Sequence, residues 1–131
     1  MKKIFVGRYA MNKGSVVLFL DPSTIDSSAS HGWTENAGYA AEAVVGIKDA
    51  KWPQVVRAML HEFLELSAVR ERCHYHGSGL LLPVPADSYL IVMAHPEFTR
   101  VVDEAGDALA FALDDARKIF DKLNKPKKEK K

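Results

Sequence analysis

The sequence has one cysteine, almost no net charge and no long apolar segment, and each of these shortages excludes a class of protein. Cys73 has no second cysteine to pair with, which excludes a fold held together by internal disulfides. A formal net charge of +1 gives no electrostatic reason to expect a nucleic-acid partner. Gly7 and Arg8 interrupt the apolar residues near the start, so neither a signal peptide nor a membrane span is predicted. We therefore expect a cytoplasmic protein that binds neither nucleic acid nor a membrane.

Two motifs of common enzyme classes are also missing. The sequence contains no glycine-rich phosphate loop and no G-x-S-x-G nucleophile elbow, which excludes the usual nucleotide-binding and serine-hydrolase classes.

The 131 residues, 47% of them hydrophobic, are enough to bury a single core. Lysine dominates residues 125–131, a composition that leaves nothing to bury. We expect one domain over residues 1–124 and a basic disordered tail over residues 125–131.

Short apolar segments separated by turn-forming residues predict five strands. These segments are Lys3–Tyr9, Ser15–Leu20, Gly38–Ile47, Leu80–Val84 and Tyr89–Ala94. Asn12–Gly14 predicts a hairpin turn between the first two strands, because Asn and Gly tolerate a positive φ. The polar segment Ser23–Asn36 predicts a loop. Within the third segment, Ala40–Ala43 would also suit a helical turn.

Two longer segments have the periodicity of amphipathic helices. Pro53 suits the first position of a helix that runs to about Arg72, and His95–Glu97 opens a second helix that runs to Leu123. The first predicted apolar stripe contains Val55, Val56, Met59, Leu60, Phe63, Leu66 and Ser67. The second contains Phe98, Val101, Val102, Ala105, Leu109, Ala112, Leu113, Ala116, Ile119, Phe120 and Leu123.

These elements predict an α+β fold in which two helices pack on a small mixed or antiparallel sheet of about four or five strands. The stripe of the second helix continues as far as Leu123. It could be buried entirely against the sheet, or it could also supply the surface of a homodimer. The sequence leaves both arrangements open.

The first predicted helix carries His61, Glu62 and Glu65 in the pattern H-E-x-x-E. Side chains at i and i+4 lie on one helical face at a separation that suits a single metal ion. The Glu between them would reach a water bound to that ion and act as a general base. An ordinary polar pair on a solvated helix face is the alternative interpretation of His61 and Glu65.

With its strand Ala40–Ile47, its apolar V-V-R-A-M-L approach and its central H-E-x-x-E, the segment Gly38–Phe98 resembles the zincin metallopeptidases. In that family an edge strand precedes an amphipathic helix that carries H-E-x-x-H. The resemblance implies that His61 and Glu65 bind zinc and that Glu62 is the catalytic base. Glu65 stands where the family has its second histidine, which implies a degenerate metallohydrolase.

A third ligand would come from a later helix in zincins of the glutamate-ligand type. Geometry offers His95, at the start of the second predicted helix, or Glu104 on its flank. Zinc is the cofactor that the resemblance implies. A function of a different class is also open: a non-enzymatic accessory or inhibitor module that uses the same scaffold to bind another protein.

Cys73, His74 and His76 form a second group of possible metal ligands. Cys73 and His76 have the C-x-x-H spacing found in some zinc sites, and His74 and His76 would point the same way on an extended segment. A structural zinc site needs four ligands, so further residues would have to join them. A buried thiol beside two loop histidines is the alternative.

Overall fold

The computed structural model describes residues 3–11, 14–34, 38–70, 74–76, 89–91 and 93–125. The strands are β1 (Ile4–Ala10), β2 (Gly14–Asp21), β3 (Ser28–Thr34), β4 (Gly38–Gly46), β5 (His74–His76) and β6 (Tyr89–Ile91). The helices are α1 (Trp52–Arg70), between β4 and β5, and α2 (His95–Leu123), after β6. The predicted α+β class is confirmed: a four-stranded mixed sheet packs against two helices, and β5 and β6 form a separate antiparallel pair.

The main sheet has the strand order β1-β2-β4-β3. β1 pairs antiparallel with β2, as the hairpin prediction requires. β2 pairs parallel with β4 from Gly14–Tyr39 to Asp21–Gly46, and β3 pairs antiparallel with the far side of β4. The edge strands of the described sheet are therefore β1 and β3. The expectation that Ala40–Ile47 forms an edge strand is wrong, because β3 covers that side of β4.

Alternation along the central strands places one sheet face in the core. Its buried side chains are Val16, Leu18 and Leu20 on β2, and Ala41, Ala43 and Val45 on β4. The buried residues of α1 that pack against this face are Val55, Met59, Phe63 and Leu66. All four belong to the predicted stripe, which is wrong only at its margin, where Leu60 is 37% exposed.

A row of small residues lets α2 lie close against α1 and β1. The buried residues of α2 are Val101, Ala105, Ala108, Ala112, Ala116 and Phe120. Near one end of the helix pair, Trp52 packs on Phe120 with ring centroids 5.5 Å apart. Toward the other end, Ser67 donates a hydrogen bond to Glu104. The two helices are thus antiparallel and lie side by side on the sheet, with α1 against β4 and α2 against β1.

The predicted loop Ser23–Asn36 is partly wrong, because Ser28–Thr34 forms strand β3. Its sequence, SASHGWT, has no alternation of apolar and polar residues, so periodicity could not reveal it. The strand is specified by backbone pairing with β4, which runs from Ser28–Val44 to Thr34–Gly38. Pairing of this kind depends on tertiary structure rather than on local propensity.

The stripe predicted for α2 is wrong at two positions near the start of the helix and at Leu123, which is 43% exposed. Phe98 is 51% exposed and Val102 is 43% exposed. The packed stretch of α2 begins at Val101, and Val102 lies about 100° around the helix from it. Conversely, Ala108 is fully buried although it was not assigned to the stripe.

Some predictions fall outside the described residues. These include the turn residues Asn12 and Lys13, positions 71–72 at the predicted end of the first helix, the strand Leu80–Val84, position 92, and positions 126–131 of the tail. The last predicted strand is present as Tyr89–Ile91. Over the described ranges, neither helix has the length and apolar character that a bilayer crossing requires.

Candidate metal site

His61, Glu62 and Glu65 lie at the middle of α1, as the motif predicts. One ligand atom from each residue can be chosen so that all three lie within 4.8 Å of one another. This is the group of potential metal ligands that the described residues contain. We call it the His-Glu-Glu cluster.

The three side chains differ in their access to solvent. The His61 side chain is 65% exposed and the Glu65 side chain is 38% exposed. His61 Nε2 lies 3.5 Å from Glu65 Oε1, one helical turn away. This separation is too long for a strong hydrogen bond, so both atoms retain capacity to bind an incoming ion.

Glu62 is buried, with only 5% of the residue exposed. Burial is the main cause that raises the pKa of its carboxyl group, and the nearby charge of Glu65 raises it further. His61 opposes the shift. A carboxyl group with a raised pKa is better suited to general acid–base chemistry than an ordinary surface glutamate.

The structure does not bring either predicted third ligand into the cluster. His95 lies exposed at the start of α2 and is not part of the group. Glu104 accepts a 2.6 Å hydrogen bond from the hydroxyl of Ser67. Ser67 lies about 200° around α1 from Glu65, on the side that faces α2. Glu104 therefore meets α1 away from His61, and the identity of a third protein ligand stays a prediction.

The donor set of the cluster consists of one imidazole nitrogen and two carboxylates. Imidazole and carboxylate ligands together suit zinc and other divalent transition metals, so the donors alone do not select one metal. A site with three protein ligands or fewer leaves coordination positions for water or substrate, as catalytic metal sites do. The cluster can thus hold a metal ion in an open geometry.

The second group of possible ligands is only partly described. Cys73 lies outside the described residues, and His74 and His76 belong to β5, which pairs with β6 through His74–Ile91 and His76–Tyr89. Trp52, at the start of α1, packs on Phe120 and lies under the Arg117 guanidinium at 4.9 Å. Its contacts are those of a residue that closes the edge of the core.

Sequence reasoning missed a cavity beside α1, whose lining includes Ala58 but no residue of the cluster. Gln54 and Ala58 line this cavity near the beginning of α1. Together with His61 and Glu65 they have the spacing i, i+4, i+7 and i+11, which defines one stripe along a helix. That spacing is visible in the sequence, but the remaining walls of the cavity come from loops that no periodicity reveals.

Comparisons of the chain with protein-family models, curated proteins and solved structures gave no significant match. The fold and the site therefore have to be interpreted from their own geometry. They define an α+β protein whose first helix carries a His-Glu-Glu cluster able to hold a metal ion.

Proposed function

We propose that this protein is a small zincin-like metal-binding protein, and that it acts as a degenerate metallohydrolase. The observation that carries the proposal is the convergence of His61, Glu62 and Glu65 within 4.8 Å on one side of α1. The order of a strand, β4, followed directly by the motif helix is also the order that the zincin resemblance implies.

In this proposal His61 and Glu65 hold the ion, and Glu62 is the general base. When bound, zinc would supply Lewis-acid chemistry that activates water and polarises a substrate carbonyl. Glu62 would accept a proton from the attacking water, a role for which burial and the charge of Glu65 raise its pKa in the appropriate direction. His95 stays a proposed third ligand. Because it lies outside the cluster, the start of α2 would have to move toward His61 for His95 to bind the same ion.

The test measures zinc binding by elemental analysis and by calorimetric titration of tag-free protein. We expect about one zinc per chain, and a loss of affinity of at least about tenfold in His61→Ala and in Glu65→Gln. Asp121→Asn is the matched control, since it removes a carboxylate from another exposed i,i+4 ion pair, the one with Arg117. Absence of stoichiometric zinc, or equal affinity in His61→Ala and wild type, would overturn the proposal.

A second candidate function is a non-enzymatic module that binds another protein or a second copy of itself. Its support is apolar surface on α2: Phe98 and Val102 are substantially exposed one turn apart, and Phe111 is 73% exposed about 180° around the helix from Val102. Such a module need hold no metal. Light scattering at several protein concentrations tests the homodimer: a monomer mass that does not change with concentration would count against self-association.

A further inference from the structure

An open cavity of about 340 Å³ lies beside the first two turns of α1. Its walls include Ile25 and Ser27 from the β2–β3 loop, Lys48 and Asp49 from the β4–α1 loop, and Gln54 and Ala58 from α1. The two loops follow the carboxyl ends of β2 and β4, which are parallel neighbours in the sheet. Crevices at the carboxyl ends of parallel strands are where α/β sheets commonly bind ligands.

Backbone hydrogen bonds join the two loops and fix the shape of this cavity. Ile47 N–H donates to the Asp21 carbonyl at 2.9 Å, and Lys48 N–H donates to the Thr24 carbonyl at 3.0 Å. The two loops also approach each other closely beside these hydrogen bonds. A Cβ on Gly46 would lie 2.5 Å from the Asp26 carbonyl oxygen. The walls are thus formed before any ligand arrives, which lowers the entropic cost of binding.

Two polar side chains in the cavity have their acceptor atoms already engaged by the backbone. Gly46 N–H donates to Ser27 Oγ at 3.1 Å, and Lys51 N–H donates to Gln54 Oε1 at 2.8 Å. The hydroxyl proton of Ser27 and the amide NH2 of Gln54 are still available as donors, while each oxygen has one of its two lone pairs occupied. The polar side of the cavity is therefore biased toward a ligand that accepts hydrogen bonds.

The charged residues of the cavity wall affect which hydrogen-bond acceptor can bind there. Lys48 is exposed, and its ammonium group has no carboxylate within ion-pair distance in the described part of the chain. Asp49 follows it with φ 56°, and its charge opposes the binding of an anion. A carboxylate suits an ammonium and two neutral donors beside Asp49, because its single charge is repelled less by that aspartate than the higher charge of a phosphate.

The cavity and the His-Glu-Glu cluster lie on the same face of α1. Ala58 precedes His61 by three residues, which places the two about 4.5 Å apart along the helix axis. An extended peptide advances by about 3.3 Å per residue, so one to three residues would connect the two places. A single ligand can therefore occupy both.

We propose that this cavity is a carboxylate-binding subsite, so that the protein acts on peptides whose acidic group lies one to three residues from the bond presented to the cluster. This inference rests on the proposed metal site. Lys48, Ser27 and Gln54 bind the carboxylate, and Ile25 and Ala58 contact the apolar part of the same ligand.

The experiment follows amide signals of the isotope-labelled full chain by NMR during titration with short peptides. The probes are acetyl-Ala-Glu-Ala-amide, its glutamine counterpart, and acetyl-Ala-Ala-Ala with a free carboxyl end. We expect at least one carboxylate peptide to bind about tenfold more tightly than the glutamine peptide, with shifts at Ser27, Lys48 and Gln54. A preference between the two carboxylate peptides identifies a side-chain or a terminal carboxylate as the ligand.

Charge variants make the test specific. Lys48→Glu should abolish the preference for a carboxylate, while Lys51→Glu, an exposed lysine two residues past Asp49 that is not in the wall, should retain it. Asp49→Asn should strengthen binding, and asparagine tolerates the positive φ at this position. Equal binding of the glutamate, glutamine and free-carboxyl peptides, or equal effects of the two lysine variants, would overturn the subsite.

Titrations with and without zinc separate this proposal from the proposed function. Carboxylate preference in metal-free protein and in His61→Ala would uphold the cavity even if zinc binding failed. Zinc binding without any carboxylate preference would remove the subsite and leave the metal site intact. In zinc-loaded protein, shifts that reach both Lys48 and His61 are expected, and shifts confined to the cavity would overturn a ligand that spans both places.

Discussion

The hydroxyl of Ser67 lies 2.6 Å from Glu104 Oε2, so the carboxylate that offered an alternative third ligand is held between the two helices. Ser67 is fully buried and Glu104 is partly buried, and a hydrogen bond to a charged group contributes up to about 1.5–3 kcal/mol to stability. We expect Glu104→Gln to lower the free energy of unfolding by a part of that amount, and Ser67→Ala to lower it similarly.

Neither of these two variants should alter the affinity for zinc, because the hydrogen bond lies on the side of α1 away from His61. Urea denaturation measures the first effect and calorimetric titration with zinc measures the second. His95→Ala serves as the comparison, since His95 was the other predicted ligand. A tenfold loss of zinc affinity in Glu104→Gln, but not in His95→Ala, would make Glu104 a ligand after all.

Glu62 should make the stability of the metal-free protein depend on pH. Because burial raises its pKa in the folded state, ionisation of Glu62 costs free energy of folding. Its contribution to stability is complete below the ordinary carboxyl pKa of about 4.3 and is lost as the pH rises through the raised value. We expect Glu62→Gln to be more stable than wild type at pH 8 and equally stable at pH 4.

The measurement is urea denaturation of both proteins from pH 4 to pH 8 in the presence of a chelator. Asp121→Asn, which alters an exposed carboxylate, controls for the general effect of removing a charge. Zinc at saturating concentration should stabilise wild type and Glu62→Gln by similar amounts, because His61 and Glu65 hold the ion in both proteins. Parallel curves for wild type and Glu62→Gln across the pH range would contradict the argument.

Substitution by aspartate should unfold the protein at Phe63 and leave it folded at Val102, although the sequence pattern predicted both residues to be in apolar stripes. Phe63→Asp places an unpaired charge in the core and should unfold the protein, since Phe63 is fully buried. Val102 is 43% exposed, so Val102→Asp should change the free energy of unfolding by less than about 1 kcal/mol. Circular dichroism of both variants decides this, and unfolding of Val102→Asp would mean that this part of α2 is covered.

The fold was predictable where local pattern and packing agree. Val55, Met59 and Phe63 repeat at helical spacing, and all three are buried as that spacing requires. The pattern failed at Phe98 because periodicity gives the direction in which a side chain points. It does not show how much of the helix length is packed against other elements. It failed at Ser28–Thr34 because an edge strand with few apolar residues is specified by its neighbour.

The candidate site was predictable as far as it lies on one helix. The spacing of His61 and Glu65 places them on one face in any α-helix, so three residues of the cluster followed from sequence. The burial of Glu62 did not, because it depends on how α1 sits against the sheet. The cavity could not be predicted either, since Ser27 and Lys48 come from loops whose approach is set by the parallel pairing of β2 and β4.

The row of small residues on α2 offers a direct test of the helix packing. Ala108 is fully buried in this row, whereas Ala110, two residues on, is exposed. Ala108→Leu would force three extra carbon atoms into a close helix contact and should cost about 1–3 kcal/mol. Ala110→Leu makes the same chemical change with little difference in helix propensity, so it should alter stability by less than about 0.5 kcal/mol. Thermal unfolding of the two variants compares them directly, and equal melting temperatures would show that α2 does not pack through its alanines.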